Sequence, residues 1–524
     1  MIEFNNITPE RGDCPGLINR LERRDPSLWS EAADIQKSIG DRLGWLDAAG
    51  FMDRHSGRIL DFAQQVKREE YQQAVLLGMG GSSLAPEVYA ALFGNRSGAL
   101  PLTVLDTTSP DHVARITAQC EGLRTLFIVS SKSGTTAETS ALDAHFYEWA
   151  RSRRERAADH FVAITDPGSP LDALASERGY RETFLNPADI GGRFSALSFF
   201  GLVPAALAGA DLDALRRHVP ESLERSPLAR DACILGKAVG SLARGGRDKL
   251  TLVLGEALAP LAPWVEQLID ESTGKDGRGI VVIAGEQRLE PEQYSRDRMF
   301  VVVDTSRESI DGPWLDAIVR LGHPVARWRL ETVDEIGAEF YRWEIATAIV
   351  GRELGINPFD EPDVNASKQR TRALLEQPDR AAGGPPQAPA RLSELLEQAG
   401  EGDYLALLAF VPPSEINRAR LERLRTRLTD RTGRPCTLGF GPRYLHSSGQ
   451  LHKGGPDRGL FIVLTRRADA DLPIPGQRHG FSALFQAQAL GDLEVLRQRG
   501  RRVVHVQLSD DREIETLGDE PGAT

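Results

Sequence analysis

Between Leu126 and Thr139 the chain reads LFIVSSKSGTTAET, an apolar run ending in seven residues, Ser130 to Thr136, that supply only hydroxyls, a lysine and a glycine. The apolar part predicts a buried strand, and AETSALDAHFYEWA after it predicts a helix starting near Thr136. A helix N-terminus offers unpaired N–H groups and partial positive charge. Ser131, Ser133, Thr135 and Thr136 add side-chain donors, Lys132 adds a charge, and Gly134 lets the backbone curl around an anion. Together these form a cradle for a phosphate. The plain structural alternative is a capped helix, but a cap needs one hydroxyl rather than five. The stretch is not a P-loop, because no G-K-[ST] follows a glycine at the required spacing.

A second loop has related chemistry. LLGMGGSSLAPEVYAAL sets Gly78, Gly80, Gly81, Ser82 and Ser83 between a strand and a helix, with Pro86 in the first turn. This is close to G-x-G-x-x-G, and Asp106 ends the next strand where a ribose-binding acid would stand, so a dinucleotide site is one alternative. A tight turn without a ligand is another. The missing third glycine and the adjacent hydroxyls favour a monophosphate or sugar hydroxyls. Both loops fall at carboxyl ends of predicted strands, where open parallel sheets bind ligands.

The elements that must position these loops repeat along the chain. QAVLLGMG, LPLTVLD, TLFIVSS and HFVAITD are short apolar runs, each ended by Gly, Ser or Asp and most of them spaced by longer mixed segments. KLTLVLGEAL, GIVVIAGE, MFVVVDTS and PVARWRL begin a second cycle, and YLALLAFV, GLFIVLTRR and RRVVHVQLS a third. Strands alternating with helices predict an α/β protein with parallel sheets covered on both faces. The boundaries expected are an N-terminal helical segment (1–65), a first α/β domain (66–210), a second (211–376), a Pro/Gly-rich linker (377–390), a third α/β domain (391–517) and an acidic tail (518–524). The three α/β segments are too dissimilar to be read as a repeat.

A chain of 524 residues exceeds one hydrophobic core, and 41% hydrophobic with 26% charged residues describes a folded protein. The net charge of −12 disfavours non-specific binding to nucleic acid. Four scattered cysteines and ten histidines without HxxxH or HExxH spacing predict neither disulfides nor a metal site. No apolar run reaches bilayer-spanning length and no signal peptide is apparent, so the expectation is a cytoplasmic protein without membrane contact.

Five motifs in chain order, GMGGSSLAPE, SSKSGTTAET, GGRFSALSFFGL, QLIDESTGK and FDEPDVNASK, make the sequence resemble the glucose-6-phosphate isomerase family of paired sugar-isomerase (SIS) domains. It looks most like the isomerase half of fused transaldolase/glucose-6-phosphate isomerase proteins, although 65 leading residues cannot hold a transaldolase barrel. The resemblance implies two doubly wound SIS domains, here with the N-terminal helical segment and a third C-terminal α/β domain. It also implies interconversion of D-glucose 6-phosphate and D-fructose 6-phosphate, no metal or organic cofactor, and a homodimer with active sites at the subunit interface. Another phosphosugar isomerase, such as one for mannose 6-phosphate, and a non-catalytic SIS regulator stay open as alternatives.

Aldose–ketose isomerisation needs a carboxylate base, a cation near the developing oxyanion and a way to open the ring. The resemblance makes Glu271 the base. Gln267, four residues earlier, shares its helix face, while Asp270 should point about 100° away. Arg193, after Gly191 and Gly192, matches the enediolate-stabilising arginine, and Lys368 the ring-opening lysine. Gly81, Ser82, Ser131, Lys132, Ser133, Thr135, Thr136, Gly192 and Gln267 would bind substrate. Glu361 stands where the family has Gln, and a carboxylate beside a phosphosugar is awkward, so it is placed outside the site. The family's ring-opening histidine, donated by the partner subunit, has no counterpart in SRDRMFVVVD. GPRYLHSSGQLHKGGP in the third domain offers His446 and His452 as substitutes; a polar loop at a dimer interface is the alternative.

Overall fold

The computed structural model describes residues 1–8, 12–154, 156–308, 310–376 and 390–517. The predicted tail, and all of the predicted linker but Ala390, lie outside the described residues.

The chain opens with a short strand, β1 (Glu3–Asn5). The first sheet holds β2 (Gln73–Gly78), β3 (Leu102–Leu105), β4 (Thr125–Ser130), β5 (Phe161–Thr165) and β6 (Glu182–Leu185), all parallel, in the order β3-β2-β4-β5-β6. The second holds β7 (Lys249–Leu254), β8 (Val281–Ala284), β9 (Arg298–Thr305) and β10 (Val325–Leu330) in the order β10-β9-β7-β8, with β1 antiparallel on the β10 edge. The third holds β11 (Tyr404–Phe410), β12 (Cys436–Phe440), β13 (Gly459–Arg466) and β14 (Arg502–Leu508) in the order β12-β11-β13-β14. Helices join the strands, giving the expected α/β fold with two doubly wound SIS units and a third α/β unit. Three segments too unlike in sequence to suggest a repeat therefore share one winding: second strand, first, third, fourth.

Central strands are legible because both faces are buried. Every residue of β4, β5, β9 and β11 is buried. The three strands that the apolar runs miss, β1, β6 and β12, are each the edge of a sheet. An edge strand has one neighbour and can be short and partly polar, as Glu182–Leu185 is.

The winding places the site. The chain leaves β2 toward β3 and then crosses back to β4, so the crevice between β2 and β4 is the topological switch point. Gly78 and Ser130, the last residues of these strands, are partners in register. The glycine loop and the hydroxyl loop therefore emerge side by side.

The N-terminal segment packs against both SIS units. Its indoles reach across both SIS units: Trp29 Nε1 donates to Ala348 O (2.8 Å), and Trp45 lies 5.0 Å from the ring of Phe194. A bridge from Leu43 to Ile190 and a bond from Gly44 N to Asp189 O (2.9 Å) zip it to the loop that carries Arg193. The third unit docks through buried polar bonds. Asp492 accepts from Ser367 (3.0 Å) and Tyr444 (2.8 Å) and pairs with Lys453 (2.6 Å). Gln450 donates to Gly274 O (2.9 Å) and Asp363 (2.7 Å). Buried polar groups left unmatched would be costly, so this pattern holds the third unit in one orientation. Among the described residues no helix is long and apolar enough to cross a membrane.

Candidate active site

A cavity of about 930 Å³ opens at the switch point. Of the residues expected in a site, Gly81, Ser82, Lys132, Ser133, Thr136, Gly192, Arg193, Gln267, Glu271, Lys368 and His446 line it.

The hydroxyl loop runs from β4 into the helix Ala137–Arg151. Thr136 stands at the N-cap but makes no side-chain cap; its hydroxyl bonds Ser131 Oγ instead (3.0 Å). The loop is thus not spent on capping. Gly134 takes the positive φ of +64° that the curl requires. Ser131 is buried behind the cavity wall, and Thr135 is exposed with its hydroxyl on Ser133 (3.0 Å). Lys132 pairs with Asp166 and donates to Ala188 O (2.8 Å).

The glycine loop serves close packing. A Cβ on Gly81 would lie 2.0 Å from Gly192 O, and one on Gly80 would lie 2.7 Å from His446 O. Two other backbones occupy the approach that a pyrophosphate would need. Asp106, the ribose acid of the dinucleotide alternative, is engaged by Ser83 (3.2 Å) and Arg443 (3.0 Å). That alternative is therefore set aside.

The helix Ala262–Thr273 carries Gln267 and Glu271 on one face. Gln267 Nε2 donates to Glu271 (3.0 Å) and to His446 O (2.8 Å). Asp270 is turned away and accepts from Val282 N (3.1 Å), as the 100° rotation predicts. Arg193 is buried and fully engaged: Nε donates to Ser272 (2.8 Å), and Nη2 to Pro358 O (2.7 Å) and Asp360 O (2.9 Å). Its Nη1 faces two carboxylates, Glu361 at 3.0 Å and Glu271 at 3.3 Å.

Glu361 is thus a correction: it lines the cavity, because Arg193 supplies the charge that makes a carboxylate tolerable there. The two acids are driven apart. Burial and the Glu361 charge raise Glu271, against the pull of Arg193, Gln267 and His446. Burial would also raise Glu361, but Arg193, Arg42 and Lys275 hold it below the usual range. Such a split separates an acid poised to exchange a proton from one that stays ionised. Replacing Glu361 by Gln removes one of the influences that raise Glu271. The expected outcome is an acidic limb of the pH–kcat profile displaced to lower pH; an unmoved limb would mean the two acids are uncoupled.

His446 enters from the third unit, on the loop after β12. Its Nε2 lies 2.8 Å from Glu138 Oε1, and Gln488 donates to the same oxygen (2.6 Å). Glu138 is buried, which would raise it, but His446 and Lys368 hold it below the ordinary value. His452 is a correction. It is buried in the third unit's core, 5.2 Å from the ring of Phe461 and 5.9 Å from that of Tyr444, and burial lowers it to about 3. It does not line the cavity, because it sits on the short helix Gly449–Gly454, which packs inward. Lys368 projects from the helix Val364–Glu376, exposed at the rim.

Residue-by-residue reading missed Glu138, behind His446, and the N-terminal wall of Lys37 and Arg42, and it placed Glu361 outside the site. Glu138 stood inside the SSKSGTTAET motif, in the first turn of the helix, where a carboxylate facing the loop could have been noticed. Arg42 has no local signature. Among the described residues no cluster of three metal-ligating side chains occurs.

Comparison with known proteins identifies the family. Residues 61–282 match the family model described as phosphoglucose isomerase. The chain is 32% identical to a glucose-6-phosphate isomerase of Symbiobacterium thermophilum over 64% of its own length and 87% of that protein's. It is 29% identical to one of Thermus thermophilus, over 69% and 97%. A hypothetical protein of Thermus thermophilus, known from its crystal structure, superposes with a TM-score of 0.60 at 27% identity, over 72% of this chain and all of that one. The chain belongs to the glucose-6-phosphate isomerase family.

Proposed function

We propose that this phosphosugar isomerase interconverts D-glucose 6-phosphate and D-fructose 6-phosphate through a cis-enediol, with Glu271 as the base. The observation that carries the reading is the convergence, in one cavity, of the hydroxyl loop with the Glu271–Arg193 pair. The phosphate takes the helix N-terminus with Ser133, Thr136 and Ser82. That anchors one end of the sugar and leaves its first carbons toward Glu271 and Arg193. His446 and Lys368 open the ring by exchanging a proton with the ring oxygen and the C1 hydroxyl. Glu271 removes the C2 proton and returns it to C1, while Arg193 faces the oxygen on which negative charge grows.

The chemistry demands transient ownership of the C2 proton by a carboxyl group open to water. Glucose 6-phosphate in D2O should therefore lose its C2 hydrogen to solvent, followed by proton NMR, at a rate comparable to turnover. Formation of fructose 6-phosphate with complete retention, or no reaction, would reject the mechanism.

A further inference from the structure

The N-terminal segment brings two cations to the cavity that the reading above does not use, Lys37, which is exposed, and Arg42. Arg42 follows the helix Ala33–Gly40 and lines the same cavity as the motifs of the SIS units. It is half-buried, and among the described residues its guanidinium makes no hydrogen bond and no ion pair within 4.0 Å. The charges facing it are carboxylates, Asp166 on the hydroxyl-loop side and Glu361 on the Arg193 side, and each already has a closer cation. Arg42 is also not loose: the Leu43–Ile190 bridge and the Gly44 N bond to Asp189 O fix the backbone next to it. A partly buried guanidinium, held by its main chain and left without an acceptor, is arranged for an anion that arrives.

The hydroxyl loop makes the need specific. Its own cation, Lys132, spends two of its three donors on Asp166 and Ala188 O. The loop therefore presents hydroxyls and N–H groups with most of its charge already neutralised. A sugar phosphate is close to a dianion at pH 7, and neutral donors alone balance it poorly. We propose that Arg42, supplied by the N-terminal segment, binds the substrate's phosphate together with the hydroxyl loop and so makes that segment part of the substrate site. Planar and always charged, the guanidinium fits two phosphate oxygens where a lysine would meet one. The inference deepens the phosphosugar reading of the same cavity and rests on it.

The test uses the full chain with Arg42→Gln and Arg42→Lys. Loss of one charge-assisted contact should raise KM for glucose 6-phosphate about 10- to 100-fold while kcat stays within about threefold. Arg42→Lys should recover much of the loss. Calorimetric titration with inorganic phosphate should show a matching loss of affinity and requires no turnover. Unchanged KM and phosphate affinity in Arg42→Gln would overturn the proposal. So would a fall in kcat with KM unmoved, because that pattern belongs to a residue acting through the structure. Arg42-dependent phosphate binding in a protein that never exchanges the C2 hydrogen would instead reject the isomerase reading and leave the Arg42 site standing.

Discussion

Glu271→Gln is expected to bind glucose 6-phosphate with affinity within a few-fold of the parent and to turn it over about 10³-fold more slowly. The substitution keeps the shape of the side chain and its contact with Gln267, and Glu361 remains to neutralise Arg193. What disappears is the only group on that helix face able to take a proton from C2 and give it back. Burial and the Glu361 charge raise Glu271 against the pull of Arg193 and Gln267, the direction that makes a carboxylate a better acceptor for a carbon-bound proton. Steady-state kcat and the rate of C2 deuterium incorporation should fall together. If exchange persists at the parental rate, Glu271 is not the base, and Glu361, across Arg193 Nη1, is the carboxylate to examine next.

His446→Asn carries the second largest expected effect, a fall in kcat of about 10², the usual worth of one positioned proton-transfer group. Asparagine preserves a hydrogen bond toward Glu138 but cannot shuttle a proton, so the loss should fall on ring opening. Activity on an acyclic phosphorylated aldose, which has no ring to open, should change far less. Equal losses on cyclic and acyclic substrates would remove ring opening as the role of His446. His446 reaches the cavity from the third unit of the same polypeptide, held by Gln267 and by the docking bonds of Gln450 and Asp492. Mixing Glu271→Gln with His446→Asn protein should then restore no activity, because no chain holds both groups. Recovery toward a quarter of the parental rate on mixing would mean that partners share the site.

Five short motifs made the SIS architecture legible, and local chemistry carried much of the site. A helix face with Gln267 and Glu271 four apart reads the same in isolation as in the fold, because the α-helical repeat alone sets it. The rotation of Asp270 away from the cavity follows from the same repeat. The hydroxyl loop was legible because strand end, glycine and helix start are contiguous. Glu361 was misjudged because a carboxylate beside a phosphosugar is unfavourable only until its counter-charge is known. Arg193, which supplies that charge, lies 168 residues away in the chain. His452 was misjudged because two histidines six residues apart in one polar stretch look alike until burial separates them.

Sequence by itself determined the α/β class, the order of the motifs and the identity of the groups that could hold a phosphate and move a proton. These follow from periodicity and neighbouring side chains, which act over a few residues. Tertiary structure alone decided that three dissimilar segments wind their sheets in one order, since winding depends on which strands pair and not on which residues fill them. It alone placed His446 against Glu138, 308 residues distant, and set Arg42 in the cavity without a partner among the described residues. Contacts of that range are set by how whole sheets dock, and docking is fixed by buried polar bonds and apolar area summed over hundreds of residues, a sum no local stretch contains.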